Sequence, residues 1–258
     1  MRRWGLIAAA VALGLAAAAR DALDVWIDAT DLPPLVAAAS PEVLDREGRL
    51  LRAYVVADGR WRLKVRPDEV DPLYLRMLVA YEDRRFRSHA GVDPVAMTRA
   101  AWQSLAAGRV VSGGSTLTMQ VARLLEDGPT GSWAGKLRQM RVALALDRRL
   151  TKDEVLALYL NRAPFGGNLE GLRAAARAWF GKEPRRLTPA EAALLVALPQ
   201  SPETRRPDRD PATAEAARDR VLARMVRAGV LTQDRADAAR REAVPAARRA
   251  VPALAAHL

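Results

Sequence analysis

The sequence predicts a mainly α-helical domain, with a small β element before it and a membrane helix before that. Three observations point there. Arg2 and Arg3 precede an uncharged run from Trp4 to Ala19, which Arg20 closes. Half of the residues are apolar but only 5% are aromatic, and alanine supplies much of the apolar count, which favours helix over sheet. Apolar residues before Asp71 alternate around Gly and Asp turns, whereas after it they recur with a helical period between capping residues. A chain of 258 residues can bury one sizeable core with a smaller module attached, and its apolar content argues against disorder. The absence of cysteine excludes disulfides and thiolate metal sites.

Residues 1–27 read as a signal-anchor segment. At ~1.5 Å per residue the uncharged run falls slightly short of a ~30 Å hydrocarbon core, but Arg20 can snorkel, and Leu23, Val25, Trp26 and Ile27 continue its apolar character. Arg2 and Arg3 would keep the N-terminus in the cytoplasm. Ala17-Ala18-Ala19 leaves a cleaved signal peptide open as the alternative. Either way the remainder is expected to be exported, on the periplasmic or extracytoplasmic side of the inner membrane. Residues 28–42, with Pro33, Pro34 and Pro41, read as a linker.

Residues 43–66 form the expected β element. Val43 to Asp45 and Leu50 to Val56 flank a turn at Arg46–Arg49, and Asp58-Gly59 turns into a further strand from Trp61 to Val65. Residues 67–242 form the helical domain. Pro72 to Tyr81 is an apolar helix ending at Glu82 and Asp83. Asp93-Pro94 pairs an N-cap with an N1 proline and opens a helix to about Ala107. Gly113-Gly114 turns into a helix starting near Ser115, and Lys136 to Arg149 is amphipathic and basic. Thr151 with Glu154 is a capping box, Gly171 to Phe180 is a short helix, and Thr188 caps a nearly all-apolar core helix to Leu198. A Pro- and Arg-rich loop at 199–212 precedes helices at 213–228 and 233–242, the second capped by Thr232. Residues 243–258 read as a C-terminal linker.

The net charge of +11 suits an anionic partner, whether nucleic acid, a membrane surface or a phosphorylated substrate. Export demotes nucleic acid and promotes the membrane surface and envelope polymers. Two segments concentrate the chemistry. Glu82 and Asp83 close an apolar helix, where a partly desolvated carboxylate can act as a base, or can simply pair with Arg84, Arg85 and Arg87. Gly113-Gly114-Ser115-Thr116 precedes a helix whose N-terminal N–H groups and hydroxyls can face an anion, with Gln120 and Arg123 further along. Gly131 to Leu137 imitates a phosphate-binding loop, but its glycines are too close and Leu137 replaces the Mg²⁺-holding hydroxyl. His89 and His257 lie too far apart in sequence to suggest a metal pair, and no Ser-x-x-Lys occurs for acyl transfer.

Five blocks in order resemble the glycosyltransferase family 51 domain of bacterial class A penicillin-binding proteins, the peptidoglycan glycosyltransferases. They are Glu82–Gly91, Gly113–Gln120, Lys136–Asp147, Lys152–Asn161 and Gly171–Lys182. The second block, with Asn161-Arg162-Ala163-Pro164-Phe165-Gly166-Gly167, is most similar to the penicillin-binding protein 1C branch. The resemblance implies a lysozyme-like multi-helix fold that polymerises lipid II onto a lipid-linked glycan chain at the membrane. It implies Glu82 as the catalytic base and Arg123 and Lys136 as the cations on the pyrophosphate. Ser115, Thr116 and Gln120 would position sugar or phosphate, and Asp83, Lys152 and Asn161 complete the substrate-binding set, the last two with a structural role as the alternative. Gln139 stands where the family usually has a second carboxylate, and Met119-Gln120 where it often has Gln-Gln. No cofactor is required, although Mg²⁺ or another divalent cation is compatible, and other cell-wall synthesis proteins are compatible partners. A lytic, lysozyme-like glycan-cleaving enzyme and a membrane-anchored scaffold with a weakened site remain the alternatives. The absence of Ser-x-x-Lys also implies that these residues hold no transpeptidase site.

Overall fold

The computed structural model describes residues 2–108, 113–126, 132–250, 252 and 254. Helix α1, Arg2–Asp28, is a single rod running through Arg20. Its apolar side chains face outward, with Trp4, Leu6, Leu13 and Leu15 all exposed. At 27 residues it is about 40 Å long, enough to cross a bilayer. Its last turns dock on α5, Trp133–Arg149. Ile27 is buried, the Arg141 guanidinium lies 4.6 Å from the centre of the Trp26 ring, and Arg148 pairs with Asp24 and Asp28. Arg149 donates to the carbonyls of Asp28 and Thr30. The basic face predicted for this helix therefore grips the end of the anchor.

Strands β1, Glu42–Leu44, and β2, Leu50–Ala53, form one antiparallel hairpin. Asp45 closes its turn by accepting the N–H groups of Glu47 and Arg49. The strand expected at Trp61–Val65 is not formed. Asp58-Gly59 does turn, but the chain beyond it is a strap across the helices. Trp61 exchanges backbone bonds with Asn168 and Glu170 instead of with β2. Buried Arg62 forks onto both oxygens of Glu170 at 2.7 Å, and Asn161 accepts from Val65 N–H and donates to Val65 C=O. Leu63 packs its side chain on Leu50 and Ala53 of β2 and on Ala174, so the apolar face is buried partly against the hairpin, while the backbone bonds go elsewhere.

The helical core is built around α8, Pro189–Ala197, of which every residue but Pro189 and Glu191 is buried. Thr188 and Glu191 cap it reciprocally. Around it pack α2, Pro72–Glu82; α7, Leu172–Phe180; α9, Pro211–Arg227; and α10, Gln233–Arg240. Helix α2 turns Leu73, Tyr74, Met77 and Leu78 inward, which leaves its C-terminal Glu82 at the rim. A second group joins α4, Leu117–Leu125, to α5 and to α6, Lys152–Arg162. Helix α3, Pro94–Ala107, buries only Ala100 and exposes Trp102 and Leu105; Val110 and Val111 lie outside the described residues, as do Gly131 and His257. In the tail, Arg249 N–H donates to Ala178 C=O, and Arg248 donates to Gly166 C=O and Asn168 Oδ1.

Candidate active site

Glu82 is the last residue of α2, and the helix stops there because Asp83 adopts a non-helical conformation. The two adjacent carboxylates then part. Asp83 turns inward and is 6% exposed; one of its oxygens accepts the Leu117 N–H at the start of α4, 2.9 Å away, and lies 2.9 Å from His89 Nε2. It fastens the α2 end to the α4 start. Glu82 stays at the rim and accepts two side-chain amides, Gln120 Nε2 on Oε2 and Gln200 Nε2 on Oε1, both at 2.9 Å.

Helix α4 supplies the positive side. Thr116 caps it by accepting Met119 N–H, and its hydroxyl donates to Gly91 C=O at 2.5 Å. Gly91 has a positive φ of 79° and presses on the Ala143 carbonyl, a position with no room for a side chain. Gln120 and Arg123 follow at a spacing of three, on one face of α4. Arg123 is exposed and has no ion pair or hydrogen bond among the described residues. Lys136 reaches over from α5 and donates to Ser115 Oγ at 2.5 Å. Burial, and then the neighbouring Arg123 charge, pull the Lys136 ammonium below its ordinary lysine value. Two cations that repel each other beside a hydroxyl turn are an arrangement an anion would relieve.

The site's reach extends beneath the carboxylate. The hydroxyls of Tyr74 and Tyr159 are fully buried, without a partner among the described residues. Burial first, then the Glu82 charge, push both phenols above their ordinary value. On the other side lie residues that sequence reasoning passed over. Gln200, in the segment expected as a Pro- and Arg-rich loop, sits in a short helical turn after α8. Arg205 donates to Gln200 Oε1 at 2.9 Å, and Arg224 stacks on Tyr81 at 4.6 Å. A polar residue between two prolines at the end of an all-apolar core helix was the available signal.

Of the expected site residues, Glu82, Ser115, Gln120, Arg123 and Lys136 are thus brought together, joined by hydrogen bonds or by charge. Gln139 lies one turn beyond Lys136 on α5 and is buried. Four others have their polar atoms engaged within the fold. Asp83 and Thr116 hold α4, as above. Asn161 locks the strap through Val65 and also donates to Ala157 C=O. Lys152 donates to His89 C=O at 2.6 Å, pairs with Asp147 and covers the Phe86 ring. A resident divalent ion does not fit this donor set: Glu82 and Asp83 already accept amide, imidazole and backbone donors, Gln139 is neutral, and the described residues hold no cluster of three metal-ligating side chains. A cavity of about 870 Å³ opens elsewhere, between the linker and α6 and α7, and of the expected site residues only Asn161 lines it.

A helical domain docked on a long apolar N-terminal helix, with a rim carboxylate and two cations brought together around α4, is the frame of a group-transfer enzyme. Comparison with known families gives the same frame a place: the chain belongs to the transglycosylase family, whose model matches residues 47–226. Penicillin-binding protein 1C of Escherichia coli K12 is 51% identical over 213 residues, 83% of this chain and 28% of that one. Penicillin-binding protein 1A is 37% identical in Escherichia coli K12 and 38% in Aquifex aeolicus, over 80% and 75% of this chain and 24% and 26% of those proteins. The chain spans about a quarter of the length of these curated relatives. A crystal structure of penicillin-binding protein 1A from Haemophilus influenzae aligns with 86% of this chain and 22% of that one, at 19% identity and a TM-score of 0.46.

Proposed function

We propose that this chain is a peptidoglycan glycosyltransferase that polymerises lipid II into β-1,4 glycan strands, with the lipid-linked glycan chain as donor. The observation that carries the reading is α4 itself: its Gln120 donates to the rim carboxylate Glu82, its Arg123, one turn on, has no ion pair among the described residues, and Ser115 just before it accepts from Lys136. The 4-hydroxyl of the acceptor sugar attacks the donor's anomeric carbon and gives its proton to Glu82. The bond from that carbon to the pyrophosphate oxygen breaks, and the lipid pyrophosphate leaves with the electron pair. Attack from the opposite face inverts the α linkage to β. Arg123 and Lys136 stabilise the charge that grows on the leaving group, so no general acid is needed. No step is routed through a metal.

The architecture supports a lipid-tethered substrate. Helix α5 carries Lys136 near one end and grips the anchor through Arg141, Arg148 and Arg149 nearer the other. The site is therefore held at a fixed offset from α1, and Arg2 and Arg3 favour the extracytoplasmic side for the domain. Exposed Trp102 and Leu105 on α3, with Trp133 and Leu137 on α5, would enter the interface, and the basic surface would favour anionic headgroups. Cell-wall synthesis proteins are the proposed macromolecular partners.

The test is glycan polymerisation from lipid II in detergent or vesicles, wild type against Glu82→Gln. Polymer from the wild type and none from the variant is expected. Polymer from Glu82→Gln would remove Glu82 from the mechanism. Wild-type cleavage of finished peptidoglycan, without lipid II consumption, would establish the lytic alternative instead.

A further inference from the structure

We infer that Gln200 is a positioning residue for the catalytic carboxylate and that Arg205 fixes the sense in which it works. This deepens the glycosyltransferase reading and rests on it. Gln120 comes from the same helix as Arg123, so its bond to Glu82 belongs to the site already described. Gln200 reaches Glu82 from 118 positions along the chain and from the other packing group, at the end of the core helix α8.

An amide can face a carboxylate productively in one orientation only, with its NH₂ forward and its carbonyl behind. Arg205 decides which end is forward. A guanidinium only donates, so the Gln200 oxygen must face Arg205 Nη1, 2.9 Å away, and the nitrogen is left for Glu82 Oε1. The same Nη1 donates to the Ala197 carbonyl at 2.7 Å, at the C-terminal end of α8, where a cation is also favoured by the helix dipole. Burial pulls the Arg205 guanidinium below its ordinary value, and the charges of Tyr81 and Glu82 oppose this. The line therefore runs from a core helix, through a cation and an oriented amide, to one oxygen of the base. Gln120 holds the other oxygen. With both oxygens tethered from different elements, the carboxylate plane is set, and the remaining lone pairs point to where an acceptor hydroxyl must arrive. Freed from Gln200, Glu82 would hang from a single amide on α4 and could rotate.

Orientation is expressed in the chemical step, so its loss should appear in kcat rather than in substrate binding. Gln200→Leu keeps the size and removes the donor. Gln200→Glu keeps the length and turns an acceptor towards Glu82. Arg205→Gln leaves the Gln200 amide free to flip. The assay is lipid II polymerisation by the full chain, with melting temperature measured alongside and Glu82→Gln as the inactive control. Expected for Gln200→Leu is a fall in kcat of about 10- to 100-fold. KM for lipid II should stay within about twofold and the melting temperature within about 2 °C. Gln200→Glu should lose more than Gln200→Leu, because a second carboxylate faces the first. Arg205→Gln should fall between wild type and Gln200→Leu. An unchanged kcat in Gln200→Leu overturns the inference while leaving the glycosyltransferase reading intact. So does a loss that follows melting temperature, which would make Gln200 merely structural. A wild type that does not polymerise lipid II overturns both.

Discussion

Adjacent carboxylates with separate duties make a sharp test. In Asp83→Ala, two buried donors lose their acceptor: the Leu117 N–H, which opens α4, and His89 Nε2. Each buried unsatisfied polar group costs about 1–3 kcal/mol, so the pair together is worth about 4 kcal/mol. For a domain of this size 1 kcal/mol moves the melting temperature by about 2–4 °C, which gives a fall of about 8–16 °C. Glu82→Gln should move it by less than about 2 °C, because its partners are rim amides that a glutamine can still meet. Polymerisation divides the other way. Glu82→Gln should be inactive at every temperature. Asp83→Ala should keep measurable kcat well below its own melting point, where α4 remains formed. Thermal unfolding by tryptophan fluorescence and lipid II polymerisation, on the same preparations, give both readouts. An Asp83→Ala protein that melts like wild type, or a Glu82→Gln protein that melts as low as Asp83→Ala, would refute the division of labour.

Three further outcomes follow from the geometry. Arg123→Ala should lower kcat/KM for the lipid pyrophosphate substrate by about 10²-fold without changing melting temperature, since the side chain is exposed; an unchanged kcat/KM would contradict its role. Lys136 has a depressed proton affinity in the free protein, so only below that depressed value does the site meet an anion with the ammonium already charged. Substrate affinity should then weaken as pH rises through it towards 10.5, the same window in which losing that proton stabilises the substrate-free fold, and Lys136→Arg should remove the alkaline rise in KM; an identical rise in both proteins would assign it elsewhere. Asn161→Ala strands the N–H and C=O of Val65 and should cost about 2 kcal/mol of stability with kcat/KM preserved in the folded protein, measured by denaturant unfolding; a selective loss of kcat/KM would return Asn161 to the substrate.

Local chemistry was legible where it is complete within a few residues. The caps at Asp93, Thr151, Thr188 and Thr232 could be placed because each bonds an N–H three residues further on. The anchor could be placed because a run without charge needs no partner to be recognised. The strap at 61–65 could not, because alternation says that one face is buried and not what buries it. Its partners lie about a hundred residues further on, in Asn161 and Glu170.

The sequence alone determined which side chains were available: one carboxylate pair, a hydroxyl turn, and the cations Arg123 and Lys136. Tertiary structure decided what each could do. Packing α2 on α8 put Glu82 at the rim, and the start of α4 drew Asp83 inside, so similar carboxylates one residue apart came to lie in different surroundings. The same packing delivered Gln200: its place between two prolines marks it as unusual, but its partner is a neighbour 118 positions away. Hydrogen bonds of that separation are fixed only when the core closes, because burial, not sequence distance, selects the partner.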